Sequence, residues 1–265
     1  MNGFPEGGVP PQISIVLPAH NEEELIDSTV SHLVEGMDRR GNNYEIIIVE
    51  NGSTDRTRGI ANALATTSSG INVISLPVGD YGAALAVGFR AAKGDVVVSF
   101  DVDYFDLGFL DAASALISNE GVDYVVASKR SPDSNDQRPP IRRLLTFGFT
   151  ALLRLMVNLP VSDAHGIKAF RRATVAPFVE ACQLKGSMFD VELICRAGRA
   201  GLIISEVPAS VIELRPVRSP VGRRAVEGLV LMVRLRRLLQ REEREAMTRD
   251  EAHFVPPRST EARPS

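Results

Sequence analysis

The sequence has few of the features that mark secreted or membrane-spanning proteins. It contains two cysteines, Cys182 and Cys195, with no CxxC spacing, which excludes a disulfide framework and a cysteine-based zinc cluster. No apolar run approaches the ~18 residues that a membrane span needs. Residues 1–12 lack the basic region and the apolar stretch of a secretory signal. These absences predict a protein of a reducing, cytoplasmic setting.

Several nucleotide-binding motifs are missing as well. No GxGxxG follows the first predicted strand, and no GxxxxGK[ST] occurs anywhere in the chain. A dinucleotide-dependent dehydrogenase and a P-loop NTPase are therefore excluded. The set of motifs that marks protein kinases is also absent.

The charged residues are distributed unevenly along the chain. Residues 1–130 contain 8 Lys and Arg against 18 Asp and Glu, whereas residues 131–265 contain 22 against 15. Lysine is scarce, and 26 of the 30 basic residues are arginine, whose forked guanidinium suits phosphate groups. The first half is thus suited to a metal ion and the second to phosphates. The alternative is that each set of charges only solvates its own surface.

Five short runs rich in β-branched residues alternate with amphipathic stretches in the first half of the chain. The runs cover residues 13–17, 45–49, 71–75, 95–100 and 123–128. Because they are apolar at successive positions, they predict strands buried on both faces, as in a parallel sheet. The helices predicted between them cover about 22–40, 55–68, 80–92 and 107–119. This order predicts a doubly wound α/β fold with a mainly parallel sheet and helices on both faces.

Beyond residue 130 the chain is expected to be mainly helical. Further helices are predicted at about 141–159, 172–183 and 188–200, followed by short strands at 202–207 and 209–214 and a long basic helix at 222–247. Residues 1–12 and 248–265 lack hydrophobic periodicity and are predicted to be flexible tails. Residues 13–247 are therefore predicted to form a single domain.

The fourth predicted strand ends in Asp101-Val102-Asp103. In an extended chain, residues two apart face the same way, so both carboxylates are expected to converge on one cation. Hard oxygen ligands in this arrangement suit Mg²⁺ or Mn²⁺, which leave coordination positions for substrate phosphates. The alternative is that the two aspartates only close the strand and cap the next helix.

Polar or glycine-containing loops follow the three preceding strands. Their sequences are PAHNE at 18–22, ENGSTD at 50–55 and GDYG at 79–82. Because the carboxyl ends of parallel strands meet at one edge of a sheet, these loops and the two aspartates predict a single ligand-binding crevice.

Taken in order, four segments resemble the nucleotide-sugar-binding half of inverting GT-A glycosyltransferases. These segments are IVLPAHNEEELI, IIIVENGSTDRT, GDYGAALAVGFRAAKGD and SFDVD. They are most similar to the family that includes the polyprenyl-phosphate (dolichol-phosphate) mannose and glucose synthases, and the likeness extends to about residue 220. It implies a GT-A-like (Rossmann-like) fold with a helical, basic C-terminal extension. In that fold, 13–130 would form the nucleotide-sugar and metal half, 131–221 the acceptor half and 222–247 an amphipathic basic helix.

The resemblance also implies roles for individual residues. The implied catalytic residues are Asp101 and Asp103, which would hold the metal and diphosphate, together with Glu192 or Asp190 near the acceptor. The implied substrate-binding residues are Pro18, Ala19, Glu22, Asn51, Gly82, Arg130, Lys168 and Arg215. The chain departs from the family pattern at Glu50-Asn51, where an acidic pair is usual, so the mode of base recognition stays open. It also departs after Asp103, where Asp106 is a candidate third ligand.

The implied activity is a metal-dependent, inverting transfer of a hexose from a nucleotide sugar of the GDP-mannose or UDP-glucose type. A polyprenyl or dolichyl phosphate is the favoured acceptor. Its phosphate oxygen is already largely ionised at neutral pH, whereas an alcohol acceptor would need a general base. Two alternatives stay open: a transferase acting on a soluble or glycan hydroxyl, and a non-catalytic partner subunit that binds nucleotide sugars.

Two predicted helices are amphipathic enough to contact a membrane surface. In helix 222–247 the apolar stripe, flanked by arginines, includes Val226, Leu229, Val230 and Val233. In helix 141–159 the residues expected to face acyl chains are Phe147, Phe149, Leu152 and Leu153. Such helices lie in an anionic membrane interface or pack on the sheet or on a second subunit. The resemblance favours a peripheral position on the cytoplasmic face of the membrane. A membrane-protein partner or a homo-oligomer stays open, and no nucleic-acid partner is expected.

Overall fold

The structure is a computed structural model that describes residues 10–128, 135–136, 140–162, 166–208, 210–211 and 221–253. Its strands are β1 (Ile13–Ala19), β2 (Tyr44–Asn51), β3 (Ile71–Leu76), β4 (Val96–Ser99), β5 (Tyr124–Ser128), β6 (Asn135–Asp136), β7 (Lys168–Arg171), β8 (Ile204–Pro208) and β9 (Ser210–Val211). Its helices are α1 (Ile26–Arg40), α2 (Thr57–Thr67), α3 (Tyr81–Ala91), α4 (Leu107–Asn119), α5 (Pro140–Val157), α6 (Arg172–Ala181), α7 (Met188–Arg199) and α8 (Val221–His253).

The main sheet has the strand order β3-β2-β1-β4-β7-β5-β8 in the part of the chain that the structure describes. Neighbouring strands are parallel except at β7, which runs antiparallel to β4 and to β5. The predicted mainly parallel α/β sheet is therefore confirmed. The chain leaves β1, β2, β3 and β4 at the same edge of the sheet, so the loops that follow these strands meet there.

Helices cover both faces of this sheet because its strands are apolar at successive positions. On β1, Ile15 and Leu17 belong to a cluster with side chains of α1 and α4. Val16, between them, belongs to the cluster on the opposite face, which includes side chains of α3. All three side chains are fully buried. Burial of apolar area on both faces stabilises the fold by about 25 cal/mol per Å².

One central strand is not predicted by the sequence pattern. β7 is short and has a basic residue at each end, so it lacks the apolar run that marks the other strands. Its two inner residues nevertheless fill the core, Ala169 on one face of the sheet and Phe170 on the other. The position between β4 and β5 makes this segment a strand, a tertiary effect that exceeds its local preference.

Strands are present at both positions predicted after residue 201, although residues 209 and 212–214 of the second prediction lie outside the described residues. β8 joins the main sheet beside β5. β9 covers two residues and pairs instead with β6, in a separate two-stranded sheet.

α8 packs against the rest of the protein through apolar residues other than those of the predicted stripe. Met232, Leu235 and Leu239 are buried in the cluster that also contains residues of α5 and α7. Leu153 of α5, which we expected to be exposed, is buried in the same cluster because α5 and α8 pack together. Leu152 is half-buried. Much of the apolar surface of these two helices is therefore core.

Some large apolar side chains of α5 and α8 are exposed nonetheless. They are Phe147 (52%), Leu155 (83%), Leu229 (46%) and Val230 (62%). The side chains of Phe149 and Val226 lie outside the described part. Among the helices that are described, none combines the length and the apolar character required to cross a bilayer.

Candidate active site

A cleft opens at the sheet edge where β1, β2 and β4 end. It is lined by Pro18, Ala19, His20, Glu22, Asn51, Tyr81, Asp101, Val102 and Asp103. The structure thus brings together six of the residues that the resemblance implies for the site. His20, Tyr81 and Val102 are additions to that set. This edge is the one predicted for the ligand from the order of strands and loops.

The two aspartates lie in a tight turn, whereas the sequence predicts an extended chain. Asp101 and Tyr104 exchange two backbone hydrogen bonds, of 3.0 and 3.1 Å, which reverse the chain direction. Val102 is buried in the core, and its carbonyl oxygen accepts a hydrogen bond from Thr29 Oγ1 at 2.8 Å. The extended-chain expectation is wrong, because the turn places Val102 in the core. The turn nevertheless presents Asp101 and Asp103 to the same cleft.

Tyr81, the first residue of α3, orients Asp101. Its phenol O–H donates a hydrogen bond of 3.0 Å to Asp101 Oδ1. Burial raises the pKa of Asp101 against the attraction of Lys168, and repulsion from Asp103 adds to the rise. Burial, together with the charges of Asp101 and Asp190, raises the pKa of Tyr81 well above its ordinary value. The phenol therefore stays a hydrogen-bond donor at neutral pH. The sequence could have indicated Tyr81 as a site residue, because Tyr81 lies in the glycine-containing loop that follows the third predicted strand.

A buried ion pair between Lys168 and Asp190 acts electrostatically on Asp101. Lys168 Nζ lies 2.7 Å from Asp190 Oδ2, and the two side chains are only 1% and 2% exposed. β7 pairs Lys168 with Ser99, two residues before Asp101, while Asp190 comes from α7. Asp190 Oδ1 has no hydrogen-bond partner in the described part of the chain. The structure therefore joins two predicted site residues to each other, although neither lines the cleft.

Asn51 is held from two sides. Its Oδ1 accepts a hydrogen bond of 2.8 Å from the backbone N–H of Asp80, and its backbone carbonyl lies 2.6 Å from His20 Nδ1. Because a carbonyl oxygen only accepts, Nδ1 carries the proton of this imidazole. Gly52 follows with φ 64°, and a Cβ there would lie 2.8 Å from the backbone nitrogen of Gly79. The loops after β2 and β3 therefore touch, which aligns Asn51 with the start of α3.

Gly82, implied as a substrate-binding residue, does not line the cleft. A Cβ at this position would lie 2.6 Å from the carbonyl oxygen of Gly186 and 2.7 Å from Cβ of Phe189. Asp80 Oδ1 strengthens this junction by accepting hydrogen bonds from the N–H of Ala83 (3.0 Å) and of Gly186 (2.9 Å). The missing side chain of Gly82 thus lets α3 pack against Gly186 and the start of α7, and the expected role of Gly82 in substrate binding stays a prediction.

Glu192 of α7 is enclosed by Arg196 and by the segment between α6 and α7. Its Oε1 accepts hydrogen bonds of 2.9 and 2.8 Å from Arg196. Its Oε2 accepts from the backbone N–H groups of Gln183 and Leu184 at 2.9 and 2.7 Å. Arg196 also binds Glu242 of α8. The carboxylate is fully buried and is not among the groups that line the cleft.

The described residues fit a divalent cation at Asp101 and Asp103. Both carboxylates line one cleft and repel each other, a repulsion that a cation would offset. Mg²⁺ commonly uses one or two carboxylates and takes its remaining ligands from water and substrate phosphates. Over the described ranges, no group of three or more His, Cys, Asp or Glu side chains is placed to hold a metal. Asp106, the candidate third ligand, caps α4, because its Oδ1 accepts a hydrogen bond of 3.0 Å from the N–H of Phe109.

The structure describes only some of the basic residues that the resemblance implies for substrate binding. Arg130 and Arg215 lie outside the described residues, as do residues 163–165. Lys168 is the member of this set that the structure describes, and it is paired with Asp190.

Comparison with known proteins gives a consistent result. Residues 14–176 match the family described as Glycosyl transferase family 2. Glycosyltransferase AglD of Haloferax volcanii is 31% identical over 202 residues, which are 74% of this chain and 32% of that protein. Dolichyl-phosphate beta-glucosyltransferase ALG5A of Trichomonas vaginalis is 27% identical over 207 residues, which are 74% of this chain and 64% of that protein. The chain thus spans less than two thirds of the length of either relative.

A solved structure of similar fold is glucosyl-3-phosphoglycerate synthase from Mycobacterium tuberculosis in complex with Mn²⁺, UDP-glucose and phosphoglyceric acid. The TM-score is 0.63 at 25% sequence identity, and the match covers 85% of this chain and 79% of that one. Together with the family match, this similarity confirms the predicted GT-A-like fold.

Proposed function

The chain belongs to glycosyl transferase family 2, and on that premise we propose that it transfers a hexose, with inversion, from a nucleotide sugar to a polyprenyl or dolichyl phosphate. The observation that carries the proposal is the cleft, in which Asp101 and Asp103 lie beside Pro18, Ala19 and Asn51. The name of the relative ALG5A supports the lipid-phosphate acceptor. The complex of glucosyl-3-phosphoglycerate synthase with Mn²⁺ and UDP-glucose supports a nucleotide-sugar donor and a divalent metal. The donor is proposed to be of the GDP-mannose or UDP-glucose type.

In the proposed mechanism Asp101 and Asp103 hold Mg²⁺ or Mn²⁺, which when bound stabilises negative charge on the leaving nucleoside diphosphate. Tyr81 orients the Asp101 carboxylate through its hydrogen bond and keeps its own proton. Lys168 attracts Asp101 and so favours the ionised, ligating form of that buried group. The network thus prepares two adjacent carboxylates before donor and metal arrive.

The acceptor is proposed to need no general base from the protein. A phosphate monoester is largely ionised at neutral pH, since its second pKa is about 6. This agrees with the carboxylates near the site: Asp190 is paired with Lys168, and Glu192 with Arg196. We assign Asp190 to positioning Lys168, and Glu192 to holding Arg196, which in turn binds Glu242 of α8.

A soluble acceptor is the second candidate. Glucosyl-3-phosphoglycerate synthase, crystallised with phosphoglyceric acid, is matched over 79% of its length, compared with 64% for ALG5A. A hydroxyl acceptor would need a base within hydrogen-bond reach of the attacking oxygen. The described part of the cleft offers Glu22, Asp101 and Asp103 as its carboxylates.

A titration experiment tests the donor site. Isothermal titration of UDP and GDP, each with and without Mn²⁺, should show binding that requires the ion and is lost in Asp103→Asn. The matched control is Asp111→Asn, which removes an exposed carboxylate of α4 that pairs with Arg40 of α1, and it should leave nucleotide binding unchanged. Binding that is independent of Mn²⁺ and of Asp103 would contradict the proposed site.

A transfer assay tests the acceptor. Radiolabelled GDP-mannose and UDP-glucose are incubated with the protein and a membrane extract, and the label is then partitioned between chloroform and water. Label in the chloroform-soluble product supports the lipid phosphate. Label only in water-soluble product replaces it with the soluble acceptor, while nucleotide binding without any turnover would indicate a non-catalytic binding subunit.

Use of a lipid acceptor would bring the protein to a membrane surface, and we propose a peripheral position on the cytoplasmic face. α8 exposes Leu229 and Val230 together with Arg234, Arg236 and Arg237. Apolar side chains among arginines bind anionic lipid interfaces, and each cation near the surface adds about 1 kcal/mol.

Vesicle co-sedimentation tests this membrane contact. The double variant L229E/V230E should bind anionic phosphatidylglycerol vesicles less than the wild type does. The control Ile203→Glu changes a side chain of similar exposure near the start of β8 and should bind as the wild type does. Equal binding by all three proteins would contradict the membrane contact of α8.

A further inference from the structure

A second cavity lies apart from the cleft, along the edge strand β3 and the first half of β2. Its volume is about 640 Å³, which is within the usual range of small-molecule sites. Its walls come from α2, β2, β3 and the end of α3, and it shares no lining residue with the cleft of Asp101 and Asp103. A ligand of this cavity would therefore bind independently of the donor cleft.

The cavity exists because one face of β3 is left partly uncovered. On that face α3 packs on β1 and β2 and ends at Ala91. Asn72 and Ile74 of β3 are therefore only half-buried, and both line the cavity.

The outer backbone edge of β3 is open to the same cavity. β3 stands at the end of the strand order in the described part of the chain. The N–H of Ile46 in β2 donates a hydrogen bond of 2.8 Å to the carbonyl oxygen of Gly70. Because successive residues of a strand direct their backbone groups to opposite sides, Asn72 faces β2 as Gly70 does. The N–H and C=O of Val73 then face outward, where Val73 lines the cavity.

Glu45 supplies a carboxylate to the cavity. The residue is only 1% exposed. Its Oε1 accepts hydrogen bonds from Ser14 Oγ at 2.6 Å and from the backbone N–H of Lys93 at 2.7 Å. Its Oε2 has no hydrogen-bond partner among the described residues and is not one of their sealed, unpartnered atoms. The fold thus uses one oxygen of Glu45 and leaves the other to accept from a ligand in the cavity that Glu45 lines.

The other polar side chains of the lining offer donors and acceptors together. Asn62 of α2 and Asn72 of β3 each carry an amide with both kinds of group. Thr66 Oγ1 donates a hydrogen bond of 2.6 Å within its own helix and keeps acceptor capacity. Glu45 and Lys93 are the charged residues of the lining, and their charges cancel.

These properties discriminate between classes of ligand. An anion would meet the carboxylate of Glu45, and a cation would meet Lys93. A purely apolar molecule would strip water from Glu45 Oε2 and leave that oxygen without a partner, which is costly. A neutral molecule rich in hydroxyl groups satisfies the carboxylate and the amides, while its C–H surface packs on Ile47, Ile74 and Ala91. We propose that this cavity is a saccharide-binding site, separate from the donor cleft, in which Glu45 Oε2 accepts from a sugar hydroxyl.

Amide NMR titration of the isotope-labelled full chain tests the proposal, with D-glucose, D-mannose and maltose as probes. At least one of these saccharides should cause saturable shifts of the backbone amides of residues 62–66, 72–74 and 91–93. Spermidine and inorganic phosphate are the charged controls. The proposal is overturned if no saccharide shifts these amides, if only a charged control does, or if the saccharide shifts are confined to the cleft around Asp101.

Substitutions test the individual contacts in the same titration. Glu45→Gln keeps an oxygen for Ser14 and for the Lys93 N–H but replaces the open acceptor with a donor, so saccharide binding should weaken about tenfold. Thr66→Ala removes an acceptor from the lining and should weaken binding about threefold. Its matched control is Thr67→Ala, which alters a neighbouring threonine with the same kind of hydrogen bond outside the lining and should bind as the wild type does. Wild-type affinity in both Glu45→Gln and Thr66→Ala would overturn the proposal, and Thr66→Ala alone decides it if Glu45→Gln does not fold.

Discussion

Replacing Gly82 with alanine should destabilise the protein by packing conflict and not by loss of a ligand contact. The added Cβ would lie 2.6 Å from the carbonyl oxygen of Gly186, 2.8 Å from its nitrogen and 2.7 Å from Cβ of Phe189. An ordinary contact needs about 3.5 Å, so α3 and the segment before α7 would have to separate by roughly 0.9 Å. None of the three atoms is the free end of a flexible side chain, so the backbone itself must move.

The expected cost follows from these distances. Overpacking of this kind costs about 1–3 kcal/mol, and the better helix propensity of alanine returns less than about 1 kcal/mol at this position near the start of α3. The free energy of unfolding should therefore fall by about 1–2 kcal/mol, which in a chain of this size lowers Tm by about 2–8 °C. Nucleotide affinity should fall only if stability falls too, because any weaker binding would come from a displaced α3, which carries Tyr81 away from Asp101.

Thermal unfolding followed by circular dichroism checks this prediction. The matched control is Gly59→Ala in α2, where a Cβ would meet nothing within 4 Å. There alanine should preserve or raise Tm. If Gly82→Ala melted with the wild type and yet bound nucleotide weakly, Gly82 would be a binding residue and the packing argument would be refuted.

Three further predictions concern buried charges. Burial raises the pKa of Glu50, but hydrogen bonds from the backbone N–H of Ser53 and from Arg58 outweigh this effect and lower that pKa below its ordinary value. Glu50→Gln should therefore lower the free energy of unfolding by about 1–3 kcal/mol at pH 7. This cost should shrink as pH falls through the lowered pKa, because the wild type then loses the same charge; a cost independent of pH in urea titrations would contradict it. Arg196→Ala should lower the free energy of unfolding by about 3–5 kcal/mol, because it leaves the Glu192 carboxylate buried without its partner. The control Arg199→Ala removes an exposed ion pair and should change the free energy of unfolding by less than about 1 kcal/mol. Equal losses in the two variants would contradict the larger contribution of the buried pair. Lys168→Met should be more destabilising than the double variant Lys168→Met/Asp190→Leu, in which no unpaired charge stays buried, and additive losses in a double-mutant cycle would show that the two residues do not interact.

Much of the fold can be predicted because its signals are local. The strands β1 to β5 are runs of β-branched residues, and such a run is apolar wherever it lies in the molecule. β7 has no such run, because its basic ends serve contacts outside the strand. Lys168 pairs with Asp190 of α7, and Ala169 and Phe170 fill gaps that exist only once β4 and β5 are in place. No pattern within four residues encodes those partners.

The site shows the same division. Pro18, Asn51 and Asp101 can be placed at one edge from the order of strands alone, since parallel strands end together. The roles of Gly82 and Glu192 cannot be obtained in this way, because they depend on which element packs against α3 and α7. A glycine in a loop and an acid in a helix have the same sequence signal whether they touch a ligand or a neighbouring helix.

By itself the amino-acid order determined the α/β class, the edge at which polar loops gather and the pair of aspartates, since each depends on periodicity and chain direction. Tertiary structure alone decided that Val102 between the two aspartates enters the core beside Thr29, that Tyr81 and Lys168 act on Asp101, and which way the amide of Asn51 faces. Those features depend on atoms that are distant in the chain and within a few ångströms in space. Their energies come from burial and hydrogen-bond geometry, which exist only after the chain has folded.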